Sequence, residues 1–399
     1  MARTIEDIAR GARAASRVVA TLPATTKNEV LHELARVLED REPEILAANV
    51  EDVAAAESAG LDAPKLKRLT LTPASLTQMR EGLIQIANLP DPVGAVTSSY
   101  EVPSGLRVER VRAPLGVIAM IYEARPGVTI DAFALCFKSG NACILKGGRE
   151  ARHSNELLAT LVRAVLDQHG VPVDAMSAFT SSDRDEMKRM LTLSDDIDLV
   201  IPRGGAGLIR FVHDHAKIPT VQHFEGVCHV YVDARANLDK ALEIVATGKT
   251  SAPATCNATE CVLIHESVAD AFLPRLRARA GADGIELREG DYGTEHLDLI
   301  LSYRIVGSID DAIAHIHEHT SNHTEAIVTA DADAAERFAR EVQSSCVLVN
   351  ASTRFNDGFQ LGLGAEIGIS TSRIHAYGPM GLEELTCERW VVRGDGQTR

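Results

Sequence analysis

From residue 111 onward the chain alternates short apolar runs with amphipathic helical patterns, and this rhythm constrains its fold more than any other feature. The runs 115–122 and 142–146 predict buried strands. The stretches that follow them, 128–138 and 154–169, predict helices. Strands that alternate with helices form parallel sheets covered on both faces. We therefore expect an α/β protein.

The same rhythm recurs in the second half of the chain and predicts a second parallel sheet. The further strands and helices are expected at residues 197–201, 208–215, 230–232, 238–247, 260–265, 268–279, 300–305, 311–319, 326–329, 334–342 and 347–350. Before this series, the first ~95 residues predict helices. An alternating pattern around Tyr100, with the turn signal Pro103-Ser104-Gly105, predicts a β-hairpin.

The composition excludes several classes of protein. A chain of 399 residues allows two or three domains, and its 45% hydrophobic and 24% charged residues are typical of globular proteins. The 41 Lys and Arg against 56 Asp and Glu give a net charge of −15, which argues against binding to nucleic acid. No apolar run approaches the ~20 residues that span a bilayer, so we expect no membrane association.

The cysteines indicate a reducing environment. The chain has 7 of them, an odd number, and none forms a Cys-x-x-Cys pair, which argues against a disulfide framework and against a thiolate zinc site. The N-terminal residues mix acidic, basic and apolar side chains and lack a secretory apolar segment. We therefore expect a cytoplasmic protein.

Three glycines follow the strand predicted at 197–201. Gly204, Gly205 and Gly207 stand where the backbone N–H groups of a helix N-terminus can bind an anion, and Arg203 beside them favours that interpretation. The spacing differs from the full Gly-x-Gly-x-x-Gly pattern. A tight strand-to-helix turn with no ligand therefore remains the alternative.

A second glycine turn, Lys146-Gly147-Gly148-Arg149, stands at the carboxyl end of another predicted strand. Sites for NAD usually place a carboxylate here to hold the ribose 2′-hydroxyl, whereas Lys146 and Arg149 suit a 2′-phosphate, although Glu150 adjoins them. The turn therefore favours NADP as the cofactor. The alternative is a solvated basic turn.

Cys256 lies among small residues between the helix that ends near residue 249 and the strand that begins near residue 260. Small neighbours leave room for an acyl substrate, and backbone N–H groups there can face a developing oxyanion. A lone cysteine is more often buried and inert. We keep the inert interpretation for the other six, Cys136, Cys143, Cys228, Cys261, Cys346 and Cys387.

A histidine cluster near residue 320 raises the question of a metal. His315 and His319 share a helix face, and His317 and His323 lie close in sequence, but no acidic or cysteine partner completes a ligand set nearby. A solvated helix end is the better interpretation. We expect no metal site.

Two arginines follow predicted strands at positions where α/β proteins bind anionic ligands. Arg125 precedes Pro126, and Arg354 ends a polar run that includes Asn350, Ser352 and Thr353. We interpret these residues as candidates for binding an anionic substrate. Structural ion pairs are the alternative.

Seven stretches together identify a resemblance to a known family. They are IYEARPGVTIDA (121–132), SGNACILKGG (139–148), IPRGGAG (201–207), GVCHVYVD (226–233), CNATE (256–260), NASTRFNDG (350–358) and LGLGAEIGISTSRIHAYGPMGLEELT (361–386). They span most of the chain and keep their order. The chain resembles the γ-glutamyl phosphate reductase family, a branch of the aldehyde dehydrogenase superfamily.

This resemblance implies NADPH-dependent reduction of L-glutamate 5-phosphate to L-glutamate 5-semialdehyde, the second step of proline biosynthesis, with a glutamate 5-kinase as supplier. Cys256 matches the family's nucleophile, which forms a thioacyl intermediate and releases phosphate. Lys146 and residues 204–207 match cofactor contacts, and Glu295 matches the acid that holds the nicotinamide-side ribose. Backbone N–H groups at Cys256 and the Asn257 side chain are candidate oxyanion donors.

Some positions depart from the wider superfamily or from the family itself. Residues 221–226 lack the Glu-Leu-Gly-Gly pattern of hydrolytic relatives, which is expected because water would return the thioester to glutamate. The usual oxyanion asparagine falls near Ala124. Ala252 replaces an arginine that the family often carries, and segment 280–295 is short, which bears on the assignment of Glu295.

The resemblance also implies an aldehyde dehydrogenase-like domain organisation. Residues 1–97 and 112–237, with part of 351–380, are expected to form the NADP-binding domain. Residues 238–350 are expected to form a smaller catalytic domain. Residues 98–111 and 381–396 are expected to form a β-hairpin oligomerisation element, because an isolated hairpin is marginally stable in water. We therefore expect a homo-oligomer.

Two other functions fit parts of the sequence. A cofactor-free cysteine acyltransferase or hydrolase would pair Cys256 with a histidine such as His223 or His229, but it leaves the two glycine turns unexplained. A non-enzymatic protein that binds phosphate metabolites would explain the turns and leave the cysteine unused. Turnover that depends on nicotinamide and phosphate distinguishes the three functions.

Overall fold

The computed structural model describes residues 3–181, 183–221 and 224–399. The helices are α1 Ile5–Val19, α2 Ala24–Asp40, α3 Glu42–Ser58, α4 Ala63–Leu69, α5 Pro73–Asn88, α6 Gly127–Lys138, α7 Arg152–Gln168, α8 Arg184–Met190, α9 Ala206–His215, α10 Leu238–Thr250, α11 Glu266–Asp283, α12 Ile309–His319 and α13 Ala332–Glu341. Short 3₁₀ turns cover Arg149–Ala151, Val173–Ala175, Thr353–Phe355 and Glu383–Leu385.

The strands follow the same chain order. They are β1 Val96–Glu101, β2 Arg107–Pro114, β3 Val117–Tyr122, β4 Ala142–Lys146, β5 Met176–Ala178, β6 Leu199–Arg203, β7 Cys228–Val232, β8 Thr259–His265, β9 Glu286–Arg288, β10 Ile300–Val306, β11 Thr324–Val328, β12 Cys346–Val349, β13 Gly368–Ser370, β14 Gly378–Met380 and β15 Thr386–Arg393. The expected helical N-terminus, hairpin and strand–helix series are therefore confirmed.

The chain forms two compact units, and the first comprises Met1–Val221, Leu363–Gly368 and Met380–Arg399. Its parallel sheet has the strand order β5-β4-β3-β6. All six residues of β3 are buried, as expected for an apolar strand with neighbours on both sides and helices on both faces. The carboxyl ends of β3, β4 and β6 meet at one edge, because Ile121 pairs with Lys146 and Tyr122 pairs with Arg203.

The second unit comprises Gln222–Gly362 and Ile369–Pro379. Its parallel sheet has the strand order β12-β11-β7-β8-β10-β9. The boundary lies after Val221 rather than at the expected residue 237. The physical reason is that β7 stands in the middle of this sheet, paired with β8 on one side and β11 on the other.

A three-stranded antiparallel sheet, in the order β1-β2-β15, belongs to the first unit and contains the expected hairpin. The C-terminal strand β15 pairs with β2 along its whole length, from Thr386 with Pro114 to Arg393 with Arg107. Every residue of β1 is exposed. The expected strand near Trp390 is therefore confirmed, and it completes the hairpin sheet.

The expected α/β class with parallel sheets is confirmed. The tail from residue 358 to 381 is mostly loop, as expected, apart from the short pair β13 and β14. Among the residues that the structure describes, no helix combines the length and apolar character needed to cross a membrane.

Candidate active site

Cys256 lies in the loop of residues 251–258, here called the thiol loop, which joins α10 to β8 in the second unit. Its side chain is half-buried, whereas Cys136, Cys143, Cys228 and Cys261 are buried. Burial raises the pKa of the Cys228 thiol well above its ordinary range, which suits an inert cysteine. The thiol loop thus presents its cysteine at the partly open surface that a nucleophile requires.

The backbone of Cys256 is held from two sides. A Cβ added to Gly226 would lie 2.0 Å from the Cys256 carbonyl oxygen, so only glycine allows the two backbones to approach this closely. The Cys228 thiol donates a hydrogen bond to the same carbonyl oxygen at 3.1 Å. These contacts fix the position of the Cys256 backbone.

Glu295 is half-buried, and its carboxylate accepts a hydrogen bond from the backbone N–H of Gly226. Burial raises the pKa of Glu295, and the Gly226 N–H opposes that rise. The resemblance implies that this residue holds the cofactor ribose, and that role stays a prediction. The observed bond connects Glu295 to the glycine that packs against Cys256.

Arg354 meets the thiol loop directly. Its Nη1 atom donates to Thr255 Oγ1 at 2.9 Å, and its Nε atom donates to Ser251 Oγ at 3.2 Å. These two bonds hold the guanidinium group against the thiol loop, and one of them is made to Thr255, the residue before Cys256. This placement supports the prediction that Arg354 lies at the substrate site.

Asn257 is buried, and its side-chain amide donates to the Asn356 carbonyl oxygen at 3.0 Å. A second, longer contact of the same nitrogen reaches the Arg354 carbonyl oxygen at 3.5 Å. The amide that was expected as an oxyanion donor is therefore engaged by loop backbone. In this structure Asn257 joins the thiol loop to the loop that carries Arg354.

The other predicted substrate residues have structural partners. Thr353 is fully buried, and its hydroxyl contacts Thr259 Oγ1 at 3.0 Å. Ser352 caps the following 3₁₀ turn by accepting the Arg354 N–H. Asn350 donates to the Thr329 carbonyl oxygen at 2.9 Å and accepts the Thr329 N–H at 3.0 Å. These three side chains shape the loop that presents Arg354.

Sequence reasoning missed a buried ion pair next to the thiol loop. Lys249 Nζ lies 2.7 Å from Glu260 Oε2, and both side chains have 0% exposure. Burial raises the pKa of Glu260 to about 7, although Lys249 and two backbone N–H groups oppose that rise. The pair joins the end of α10 to the start of β8, so it anchors both ends of the loop. Lysine and glutamate on either side of a small-residue loop were the available signal.

In the first unit, the basic turn of residues 146–149 follows β4. Lys146 is half-buried and donates to the Gly147 carbonyl oxygen at 2.9 Å, while Arg149 is exposed. Burial lowers the pKa of Lys146, and Glu150 opposes that change. A pocket at this turn is lined by Tyr122, Thr129, Gly147, Gly148, Arg149 and Asn155 among others.

The two glycines of the basic turn line this pocket. A Cβ on Gly147 would lie 2.1 Å from Asn155 Nδ2 and 3.3 Å from the Tyr122 ring, so glycine is needed for the backbone to line this pocket. Arg149 and Arg152 supply cations to its lining, and Lys146 directly precedes Gly147 in the turn. Glu150 is already engaged, because it accepts the Ala124 N–H at 2.8 Å.

The glycine turn of residues 204–207 opens α9, with Gly205 at the N-cap position. The Gly205 N–H donates to the Glu123 carboxylate at 2.9 Å. Arg203, at the end of β6, is half-buried. The N–H group that was expected to bind an anion therefore donates to a carboxylate of the chain itself, which would compete with an anionic ligand at this position.

Arg125 follows β3 and is exposed at the same sheet edge. Of the two histidines considered for a cofactor-free mechanism, His223 lies outside the described residues. His229 is fully buried in β7, and its Nδ1 atom lies 3.0 Å from Glu325 Oε2. That environment does not suit a general base for an incoming substrate.

Comparison with known proteins agrees with the geometry. A model of the aldehyde dehydrogenase family matches residues 1–290. The γ-glutamyl phosphate reductase of Salinibacter ruber is 49% identical over 414 aligned positions, covering 100% of this chain and 95% of that protein. The crystal structure of the γ-glutamyl phosphate reductase of Thermotoga maritima matches with a TM-score of 0.97 at 38% identity, covering 100% of both chains.

A more distant solved structure shares the fold alone. An engineered glycolyl-CoA reductase with bound NADP⁺ matches with a TM-score of 0.71 at 16% identity, covering 98% of this chain and 96% of that chain. The two closer relatives cover the whole chain. The chain therefore belongs to the aldehyde dehydrogenase family, in its γ-glutamyl phosphate reductase branch.

Proposed function

We propose that this chain reduces L-glutamate 5-phosphate to L-glutamate 5-semialdehyde with NADPH, releasing phosphate, as the second step of proline biosynthesis. The observation that carries the proposal is the thiol loop, in which a half-buried Cys256 is flanked by the fixed guanidinium group of Arg354. The full-length similarity to γ-glutamyl phosphate reductases supports the choice of substrate.

Covalent catalysis explains why the loop needs a thiol. Cys256 Sγ attacks the acyl carbon, the bond from that carbon to the phosphate oxygen breaks, and phosphate leaves with its electron pair. A bound nicotinamide cofactor supplies the hydride that reduces the resulting thioester carbon. The thiohemiacetal on Cys256 then collapses, the carbon–sulfur bond breaks and the aldehyde departs.

The chain's own residues orient the substrate and stabilise charge. Arg354, bonded to Ser251 and Thr255 of the thiol loop, faces the anionic groups of glutamyl phosphate. Backbone N–H groups of the loop are the candidate donors to the oxyanion, because the Asn257 amide bonds to Asn356. Arg125, Asn350, Ser352 and Thr353 complete the proposed substrate residues, the last three by shaping the loop.

The family uses a nicotinamide cofactor, and we assign NADPH from the basic turn. Lys146 and Arg149 suit the 2′-phosphate, with the backbones of Gly147 and Gly148 lining the pocket. Arg203, Gly204, Gly205 and Gly207 suit the pyrophosphate at the N-terminus of α9. Glu295 is assigned to the ribose on the nicotinamide side.

We further propose that the protein is a homo-oligomer of the reducing cytoplasm, supplied with substrate by a glutamate 5-kinase. The sheet of β1, β2 and β15 supports the proposal of a homo-oligomer. It exposes the large apolar side chains of Val96, Tyr100, Trp390 and Val392. Light scattering at micromolar concentration tests this statement. A monomeric mass would contradict it.

One assay tests the reaction. Purified protein is mixed with glutamate semialdehyde, NADP⁺ and phosphate, and NADPH formation is followed by its absorbance. We expect formation that requires phosphate and that the Cys256→Ser variant abolishes. Turnover without nicotinamide would indicate a thiol acyltransferase or hydrolase, and binding without turnover would indicate a phosphate-metabolite binding protein.

A further inference from the structure

Three side chains distant in sequence meet inside the second unit. His229 on β7, Cys261 on β8 and His315 on α12 are all buried, and each offers a nitrogen or sulfur atom within 4.8 Å of the others. We call these residues the His-Cys cluster. His229 and Cys261 are paired on adjacent strands of the sheet and lie far from His315 along the chain, so sequence spacing does not reveal the cluster.

His229 is oriented as metal-binding histidines are. Its Nδ1 atom lies 3.0 Å from Glu325 Oε2, and the same carboxylate oxygen accepts the His229 backbone N–H at 2.8 Å. Among the described residues, the fully buried Nε2 atom has no hydrogen-bond partner. A carboxylate on one ring nitrogen fixes the ring so that the other nitrogen can bind a metal.

We propose that the His-Cys cluster binds a borderline-soft cation of the zinc type through His229 Nε2, Cys261 Sγ and His315 Nε2. Zinc ligands at bond lengths of about 2.0 to 2.3 Å lie about 3.5 Å from one another in a tetrahedral site. Cys261 Sγ is 3.9 Å from His315 Nε2, so small side-chain movements close this edge of the site. Water completes the fourth position.

A surface pocket adjoins one residue of the cluster. A surface pocket lined by Arg304, Gly307, Asp311, His315 and Glu318 among others includes one of the three ligands. The exposed carboxylates of Asp311 and Glu318 attract a cation to its mouth. The three ligands are buried, and His315 is the one that borders this pocket.

Two features oppose the binding of a metal ion to the His-Cys cluster. Arg304 Nη1 lies 2.8 Å from His315 Nδ1, the nitrogen that must carry the proton when Nε2 binds a metal. The guanidinium group must therefore turn away, toward the pocket carboxylates. Burial lowers the pKa of His229, but Glu325 and Cys261 outweigh burial and raise it to about 10, so a metal also displaces a proton.

The proposal is independent of the catalytic assignment. The cluster ties β7 and β8 to α12, and a ligand that binds only the folded state raises the temperature of unfolding. The expected consequence is therefore metal-dependent stability, measurable without turnover.

The test uses full-length protein with Cys256→Ser, which removes the half-buried thiol of the proposed active site as a competing ligand. Zn²⁺ is titrated by calorimetry and thermal denaturation, and Co²⁺ by absorption. We expect about one ion per chain, a thiolate-to-cobalt charge-transfer band and a higher unfolding temperature. A further Cys261→Ser substitution should remove all three effects, whereas the matched Cys387→Ser substitution at an exposed cysteine should leave them unchanged.

A second pair of variants keeps the test independent of folding defects. Glu325→Gln should weaken Zn²⁺ binding by about 10- to 100-fold, as loss of an outer carboxylate partner usually does. Arg304→Gln should tighten binding, an outcome that a damaged fold does not produce. The proposal is overturned if the parent protein binds no Zn²⁺ or if the cobalt band is absent. It is also overturned if Cys387→Ser removes Zn²⁺ binding and Cys261→Ser does not.

Discussion

The carboxylate of Glu123 accepts the backbone N–H of Gly205 at 2.9 Å, at the first turn of α9. A helix N-terminus favours negative charge, and a bound pyrophosphate would accept a hydrogen bond from the same N–H group. The side chain of Glu123 therefore competes with the proposed cofactor at one end of its site.

The first prediction follows from this competition. Glu123→Gln should lower the Kd for NADPH roughly threefold to tenfold, because a charge beside a helix N-terminus is worth ~1 kcal/mol. Binding is measured by the fluorescence of NADPH in the absence of substrate. Glu81→Gln, a change at an exposed glutamate of the same unit, is the control. Weaker binding in the Glu123 variant would contradict the competition.

A second prediction concerns the choice of cofactor. Lys146→Ala should raise the Kd for NADPH by roughly tenfold or more, because a charge-assisted bond to the 2′-phosphate is lost. The Kd for NADH should change much less, since NADH lacks that phosphate. Lys188→Ala, at a lysine of the same unit whose side chain is 45% exposed, serves as the control. Equal losses for both cofactors would remove the 2′-phosphate assignment.

A third prediction tests how the nucleophile is held. Gly226→Ala would place a Cβ 2.0 Å from the Cys256 carbonyl oxygen, and backbone must move to relieve that contact. Displacement of the nucleophile by about 1 Å should lower kcat/KM on the order of 100-fold. The control is Gly281→Ala, where the added Cβ meets no described atom within 4 Å. Normal kinetics in the Gly226 variant would show that the contact does not position Cys256.

The buried pair of Lys249 and Glu260 gives a fourth prediction. The folded-state pKa of Glu260, about 7, exceeds its ordinary value of 4.5 because the carboxyl is buried. Between these values the unfolded chain releases a proton that the folded chain keeps, so this group's contribution to stability falls as pH rises, by up to ~3 kcal/mol.

Urea denaturation measures this pH dependence. The free energy of unfolding, compared at about pH 5 and about pH 8, should fall less for Glu260→Gln than for the parent protein. Glu336→Gln, at an exposed glutamate, should keep the parent slope. An unchanged slope in the Glu260 variant would contradict the assigned protonation.

The sequence predicted the fold well because the helices and strands have local causes. The apolar run of β3 is buried at every position, and the hairpin of β1 and β2 follows its turn residues. The placement of β7 depended on pairing with strands far along the chain. Periodicity carries no information on such pairing, so the unit boundary moved from the expected residue 237 to Val221.

In the candidate site, too, features with a local sequence cause could be predicted and features that depend on distant segments could not. Cys256 and Arg354 could be identified because small residues and a strand end frame them. The roles of Asn257 and Glu123 could not, since each depends on a backbone atom of a distant segment, Asn356 and Gly205. The His-Cys cluster escaped detection because its three members lie on different elements and have no common spacing.

The central claim is that Cys256 carries the acyl group. The enzyme is incubated with glutamate semialdehyde and NADP⁺ without phosphate, and its peptides are analysed by mass spectrometry. The account predicts a glutamyl adduct on the Cys256 peptide that disappears when phosphate is added and is absent from Cys256→Ser. An adduct on another residue, or turnover that persists in Cys256→Ser, would contradict it.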